Sequence, residues 1–119
     1  MTYSEKIKDV IEESEVAIFM KGTPQLVMCG NSDRALKALR RAGAPVTAVD
    51  ILPDPQIRQE LSALSGWPTI PQVFVKGELV GGADIIEELE QSGELGQTLT
   101  RKLGEDYASR AGDTTVPLA

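Results

Sequence analysis

The sequence contains no histidine and only one cysteine, Cys29, among its 119 residues. Because histidine is the commonest general base near neutral pH, its absence excludes hydrolases that pair a serine or a cysteine with histidine. One cysteine cannot form a disulfide within the chain, and a free thiol suits a reducing compartment. The reactive chemistry available to this chain therefore centres on one thiol.

Long apolar runs are also absent, and the longest, Val16 to Met20, has the length of a strand rather than of a membrane span. The first residues, Met1 to Glu5, lack the pattern of a signal peptide, so we expect a cytoplasmic protein. The formal net charge of -6 argues against non-specific nucleic-acid binding, which needs a basic surface to displace counterions. The length fits one domain with one hydrophobic core.

Helical and extended patterns alternate along the chain. Apolar spacing predicts helices over roughly residues 4–14, 33–42, 55–64, 84–92 and 95–103, and apolar runs predict strands at 16–20 and 46–49 and a hairpin at 72–80. This order is typical of an α/β fold with a small mixed sheet of four strands, the first two parallel and the hairpin antiparallel. Residues 105–119 are small and polar, and we expect a disordered tail there.

Three of the predicted helices begin with residues that favour capping. Ser4 is available as the N-cap of the first helix, and Asp54 precedes a proline at the start of the third. Asp84, with Glu87 three residues later, has the form of a capping box at the start of the fourth. These residues predict where the helices begin.

Cys29 follows the first predicted strand and lies near the start of the second predicted helix. Unpaired backbone N–H groups and the positive end of the helix dipole favour a thiolate at such a position. A lone cysteine in a soluble protein is more often a small buried apolar residue. The location beyond the carboxyl end of a strand, where ligand sites of α/β sheets collect, makes Cys29 a candidate reactive or metal-binding sulfur.

Two cations are candidates for the same site. Lys21 directly follows the first strand, and Arg58 lies in the third predicted helix. Most single basic residues on a surface are solvated and have no specific partner. If both point toward Cys29, however, they would attract a carboxylate and lower the pKa of the thiol.

Two backbone features also allow two interpretations each. The Ile70-Pro71 bond is expected to be trans on frequency alone, whereas a cis bond would turn the Ile70 backbone outward to pair with an extended peptide. The segment Gly81 to Asp84 is either a plain connection from hairpin to helix or a ligand site. In the second case its free N–H groups would hold a carboxylate and Asp84 would pair with an amine.

Five motifs occur in the order and spacing of the monothiol glutaredoxins, which the sequence resembles over residues 3–104. They are MKGTP at 20–24, MCGNS at 28–32, VDIL at 49–52, WPTIPQ at 67–72 and KGELVGGAD at 76–84. The resemblance implies one domain over residues 3–104, with a thioredoxin-like fold and a cis bond that places Pro71 facing Cys29.

The same resemblance implies a glutathione site. By position in the motifs, Lys21 and Arg58 would hold the glycine carboxylate of glutathione, and Ile70 would hold its cysteinyl backbone. Ala83 and Asp84 would hold the γ-glutamyl end. These residues coincide with the candidates named above from their chemistry.

In the family, the cysteine at the position of Cys29 ligates a [2Fe–2S] cluster that bridges two protomers. Such a cluster needs four ligand sulfurs. With one cysteine in each chain, two Cys29 thiolates and two glutathione thiolates would complete the set, which predicts a cluster-bridged homodimer. The implied function is delivery of the cluster to apoproteins, and BolA-type proteins are further partners of the family. The alternative is a glutathione-dependent oxidoreductase with Cys29 as nucleophile.

The sequence departs from the family pattern at two positions. The CGFS motif of the family reads CGNS here, so Asn31 replaces a phenylalanine beside the thiol. An aromatic ring there could shield a cluster from water, whereas an asparagine could form a hydrogen bond to sulfur or cap the following helix. Ala83 stands where the family often has cysteine or serine, which removes a possible second thiol and leaves the backbone N–H available.

Overall fold

The computed structural model describes residues 1–118 and shows a mixed sheet between two layers of helices. The helices are α1 (Tyr3–Glu13), α2 (Gly30–Arg41), α3 (Pro55–Ser65), α4 (Ala83–Ser92) and α5 (Glu94–Leu103), with a 3-10 helix η1 (Tyr107–Arg110). The strands are β1 (Val16–Met20), β2 (Gly22–Thr23), β3 (Leu26–Val27), β4 (Pro45–Asp50), β5 (Gln72–Val75), β6 (Glu78–Gly81) and β7 (Gly112–Thr115). The main sheet has the order β6-β5-β1-β4-β7, and β2 and β3 form a separate ribbon.

The pairing of the strands confirms the predicted α/β arrangement. Strand β1 is parallel to β4 and antiparallel to β5, and β5 continues into β6 as an antiparallel hairpin. Lys76 and Gly77 both have positive φ in the turn of that hairpin, as a tight two-residue connection requires. Within residues 1–118, no helix combines the length and the apolar character needed to cross a bilayer.

Strand β1 lies in the middle of the sheet and is buried along its whole length. Successive side chains point to opposite faces of a strand. Ile18 therefore packs in the layer of α2, α4 and α5, whereas Phe19 packs in the layer of α1 and α3. Phe19 also meets Phe74 of β5 edge to face, with ring centroids 5.7 Å apart. The continuous apolar run thus correctly indicated a strand covered on both faces.

The first and third helices differ in how well their starts were predicted. Asp54 caps α3 as expected, and its side chain accepts a hydrogen bond of 2.9 Å from the Gln56 N–H. Helix α1, however, is capped by Thr2 and not by Ser4. Thr2 forms a capping box with Glu5, in which each side chain accepts from the backbone N–H of the other residue. The reciprocal pair satisfies two N–H groups, which a cap at Ser4 would not.

The chain after residue 104 has regular structure, so the predicted disordered tail is wrong. The predicted number of four strands in the main sheet is wrong for the same reason. Strand β7 pairs in parallel with β4 and becomes the fifth strand. Its sequence, Gly-Asp-Thr-Thr, has no apolar pattern because it lies at the exposed edge of the sheet. Its placement depends on backbone pairing with β4, which a sequence pattern does not reveal. Ala119, included in the predicted tail, lies outside the described residues.

Side chains on both sides of β7 anchor the C-terminal segment. The Tyr107 hydroxyl donates a hydrogen bond of 2.8 Å to the carbonyl of Ala42. Leu118 is only 4% exposed and packs in the α1 and α3 layer of the core. Its carbonyl accepts a hydrogen bond of 2.9 Å from Lys6 of α1. The segment after α5 is therefore part of the folded domain.

If this packing is correct, Leu118→Ala should lower the free energy of unfolding by about 2 kcal/mol, because it removes a buried side chain from the core. Urea denaturation measures the change. The matched control is Thr115→Ala in the exposed strand β7, which should stay within about 0.5 kcal/mol of the wild type. Equal stability of the two variants would mean that Leu118 is not packed.

Candidate functional site

Cys29 is the N-cap residue of α2 and directly follows the β2–β3 ribbon and Met28. The helix begins three residues earlier than predicted, so the thiol lies at its very start. The thiol makes no capping hydrogen bond and is partly exposed. The free N–H groups of the first helical turn therefore remain available to a thiolate at this position.

The pKa of the Cys29 thiol is lowered from its ordinary value. The main cause is the backbone N–H of Ser32, which stabilises the thiolate by hydrogen bonding, while partial burial opposes the shift. The backbone N–H of Asn31, the Ser32 hydroxyl and the positive charge of Lys21 contribute in the same direction. A larger thiolate fraction at neutral pH makes Cys29 a better nucleophile and a better metal ligand.

The segment that leads to Cys29 is held against the carboxyl ends of β1 and β4. The Lys21 N–H donates a hydrogen bond of 3.1 Å to the hydroxyl of the buried Ser32, and the Gly22 N–H donates one of 2.9 Å to Asp50. Gly22 has a φ of 95°, and a Cβ at this position would collide with the carbonyl oxygen of Leu26. These constraints fix the backbone at Lys21, whose positive charge acts on the thiol.

A cavity of about 430 Å³ opens near the start of α2. Its size is within the range of small-molecule sites. Three of the predicted site residues line it, namely Ile70, Ala83 and Asp84. The remaining lining residues are Asn31, Arg34, Trp67, Thr69, Pro71, Gly82 and Ile85. The structure thus brings together, in one cavity, the residues that the family resemblance assigns to the cysteinyl and γ-glutamyl parts of glutathione.

The other predicted site residues lie outside the lining of this cavity. Cys29 borders a separate open depression together with Met28 and Asp33. Lys21 acts on Cys29 through its charge, as described above. Arg58 is exposed on α3, and its Nη2 lies 3.5 Å from the carbonyl oxygen of Pro68. Arg58 therefore borders the loop that forms one wall of the cavity, without lining the cavity.

That wall is the loop that precedes β5. The Ile70-Pro71 bond is cis, as the family resemblance implied; that Pro71 faces Cys29 stays a prediction. The side chain of Gln72 is fully buried, and its Nε2 donates hydrogen bonds of 2.9 Å to the Trp67 carbonyl and 3.2 Å to the Thr69 carbonyl. The first residue of β5 thereby fixes the shape of the wall.

The opposite side of the cavity is the start of α4. This helix begins at Ala83 with Gly82 as its N-cap, and no side chain caps it. The predicted capping box is therefore wrong, because Asp84 and Glu87 both bind Arg34 of α2 instead. The N–H groups at the start of α4 carry no side-chain partner there and favour an anion.

Arg34 is the candidate that inspection of the sequence missed. Its Nη2 lies 2.7 Å from Asp84 Oδ1 and 2.9 Å from Glu87 Oε1, and its Nη1 lies 3.0 Å from Asn31 Oδ1. The spacing of Asn31 and Arg34 along one helix could have indicated their contact. No local signal indicates the contacts with α4, because they join residues at least 50 positions apart.

In the part of the chain that the structure describes, no group of three or more histidine, cysteine, aspartate or glutamate side chains is placed to hold a metal ion. Cys29 is the one cysteine of the chain. A metal centre at this site would therefore have a single protein sulfur from each chain.

The causes of the lowered pKa can be separated by substitution. Lys21→Gln removes a positive charge near the thiolate, so it should raise the pKa of Cys29 and slow its alkylation by iodoacetamide at neutral pH. The rate measured as a function of pH gives the pKa. Lys8→Gln, at an exposed position on α1, is the control and should leave the profile unchanged. An unchanged profile in Lys21→Gln would show that this charge has no effect on Cys29.

The chain matches known proteins over most of its length. The model of the glutaredoxin family matches residues 16–80. Glutaredoxin 4 of Haemophilus influenzae is 49% identical over 104 residues, which cover 87% of this chain and 96% of that protein. Glutaredoxin 4 of Escherichia coli K12 is 46% identical over 112 residues, which cover 94% of this chain and 96% of that protein. Monothiol glutaredoxin-S11 of Oryza sativa is 48% identical over 96 residues, which are 81% of this chain and only 20% of that protein.

Solved structures agree with this assignment. A monomeric truncated mutant of Trypanosoma brucei 1-C-Grx1 superposes with a TM-score of 0.77 at 38% identity, covering 86% of this chain and 93% of that one. Reduced poplar apo GrxS14 superposes with a TM-score of 0.73 at 36% identity, covering 83% and 91%. The chain has the thioredoxin-like fold and belongs to the glutaredoxin family, and its one cysteine makes it a monothiol member of that family.

Proposed function

We propose that this monothiol glutaredoxin binds glutathione and, as a homodimer, carries a [2Fe–2S] cluster that it delivers to apoproteins. The observation that supports the proposal most is the position of Cys29. The one cysteine of the chain lies at the start of α2, where backbone N–H groups stabilise its thiolate. A cavity of suitable size for a small peptide lies near that helix start.

Glutathione would use both the cavity and its border. The N–H groups of Ala83 and Asp84 at the start of α4 suit the carboxylate of the γ-glutamyl end. Ile70, in the opposite wall, would pair with the cysteinyl backbone. Lys21 and Arg58 would attract the glycine carboxylate from outside the cavity.

The donor set of the chain suits a shared cluster. A [2Fe–2S] cluster needs four sulfur ligands, and one chain supplies Cys29 alone. Two Cys29 thiolates and the thiolates of two glutathione molecules would complete the set in a homodimer. When bound, the cluster is the cargo that an acceptor apoprotein would take up, and it is held by only two protein ligands.

The surface beside Cys29 supports a contact with another protein. Met28, which directly precedes the thiol in the chain, is 60% exposed, and Leu26, three residues before the thiol, is 67% exposed. Exposed apolar side chains next to a functional group favour an interface. We assign this contact to the second protomer and to iron–sulfur apoproteins, with BolA-type proteins as a further partner class. Free thiol chemistry with glutathione suits the cytoplasm, where we place this function.

Anaerobic reconstitution with iron, sulfide and glutathione tests the proposal. The wild type should become coloured and elute as a dimer in size-exclusion chromatography, whereas Cys29→Ser should remain colourless and monomeric because it lacks the ligand sulfur. Omitting glutathione should also prevent colour from forming. A wild-type protein that stays colourless and monomeric would rule the proposal out.

A thiol-exchange activity is the second candidate, because the lowered pKa of Cys29 also favours a nucleophile. The Cys29 thiolate would attack the glutathione sulfur of a mixed disulfide and release the substrate thiol. A second glutathione thiolate would then attack the resulting protein–glutathione disulfide, releasing Cys29 and oxidised glutathione. Turnover of a glutathione mixed disulfide by a protein that binds no cluster would favour this function.

Substitutions at Asn31 test whether the side chain at this position protects the [2Fe–2S] cluster from oxygen. Asn31 is exposed, and its side-chain oxygen accepts a hydrogen bond from Arg34. Asn31→Phe keeps the backbone N–H that favours the thiolate and adds an apolar ring near Cys29. The reconstituted variant should therefore lose its absorbance in air more slowly than the wild type.

The matched control for this comparison is Asn31→Ala, which removes the hydrogen bond to Arg34 without adding a ring. Its cluster should decay at least as fast as that of the wild type. Slower decay in both variants would show that loss of the amide, rather than shielding by the ring, protects the cluster. Equal decay in all three proteins would show that position 31 does not affect the exposure of the cluster to oxygen.

A further inference from the structure

The guanidinium of Arg34 is held in place without any help from Asp84. Glu87 binds it twice, at 3.3 Å through Nε and at 2.9 Å through Nη2, and the Asn31 side chain accepts from Nη1 at 3.0 Å. A two-point contact between arginine and a carboxylate fixes the orientation of the planar group. Arg34 and Asn31 both line the cavity described above. Arg34 is therefore a preoriented cation in the wall of this cavity.

Asp84 is the exchangeable partner of that cation. It makes one contact with Arg34, at 2.7 Å, and its side chain is 91% exposed, compared with 29% for Glu87. Water screens an exposed ion pair, so its partners exchange at little cost. One oxygen of Asp84 thus occupies a place beside Arg34 and the start of α4 that another carboxylate could take.

We infer that Arg34 is a ligand-binding residue that holds the α-carboxylate of the γ-glutamyl end of glutathione. This inference rests on the glutathione site proposed above. The incoming carboxylate replaces that of Asp84 at the guanidinium, and the released Asp84 binds the α-ammonium of the ligand. The ligand's zwitterionic end thereby inserts between the two members of an existing ion pair, and each charge of the protein keeps an opposite charge beside it.

The charge balance explains why Arg34 is needed at this place. Without it, Asp84 and Glu87 would present two carboxylates to the carboxylate of the ligand, and repulsion would oppose the attraction of the α4 N–H groups. Asn31 is a positioning residue in this arrangement, because its oxygen orients the guanidinium. A phenylalanine at position 31 offers no such acceptor. The amide that departs from the family pattern and Arg34 therefore act together.

The inference predicts a selectivity among ligands. Isothermal titration calorimetry would compare S-methylglutathione, whose blocked sulfur cannot react with Cys29, with an analogue in which 4-aminobutyrate replaces the γ-glutamyl residue and removes the α-carboxylate. Wild-type protein should bind the analogue about tenfold more weakly, as expected for the loss of one charge-assisted contact. Arg34→Met should bind S-methylglutathione about tenfold more weakly and should distinguish the two ligands much less than the wild type does, because only the α4 N–H groups would still favour the α-carboxylate.

The control is Arg41→Met. Arg41 joins the same two helices through an ion pair with Glu90, but it does not line the cavity. This variant should keep the affinity and selectivity of the wild type, and thermal unfolding shows whether both variants stay folded. Arg34→Lys, which keeps the charge but not the planar fork, should recover part of the selectivity.

The outcomes separate this inference from the proposed function. Wild-type protein that does not bind S-methylglutathione would overturn the glutathione site, and the inference with it. Wild-type protein that binds both ligands equally, or an Arg34→Met variant that keeps full selectivity, would overturn the inference alone. In the latter case Arg34 would serve only to join α2 and α4.

Discussion

The whole site depends on the start of α2 lying just beyond the carboxyl ends of the parallel strands β1 and β4. At this point the N–H groups of the first helical turn have no partners within the helix, and the thiol of Cys29 is placed as the N-cap. Backbone hydrogen bonding by Ser32 is the main cause of the lowered thiol pKa, while the charge of Lys21 adds a smaller effect. The reactivity of the thiol therefore comes mostly from backbone geometry. Side-chain charges only adjust it.

The same physical principle recurs at α4, whose uncapped start forms the other side of the cavity. There the α2 and α4 helices are joined by Arg34, whose positive charge pairs with two carboxylates that would otherwise repel an anionic ligand. The start of α2 thus favours a thiolate, and the start of α4 favours a carboxylate. Both are held in position by the sheet, because the helices pack against the same core layer.

Much of the fold could be predicted from local patterns. Strand β1 was identifiable because a strand buried on both faces has a continuous apolar sequence. The hairpin β5–β6 was identifiable because its tight turn requires a residue such as Gly77. The C-terminal strand β7 was not, because an exposed edge strand is held by backbone pairing with β4. The start of α4 was misjudged for a similar reason. Asp84 and Glu87 have the spacing of a capping box, but Arg34 binds both of them from another helix.

The sequence by itself determined the chemistry that is available: one thiol near a helix start, no histidine, and the motifs of a monothiol glutaredoxin. It also indicated Ile70, Ala83 and Asp84, which the structure brings into one cavity. Only the tertiary structure decided that Arg34 belongs to that cavity and that Asn31 is bound to Arg34. The reason is physical: helix starts and apolar periodicity are encoded over a few neighbouring residues, whereas an ion pair between α2 and α4 exists only after the sheet has brought the two helices together.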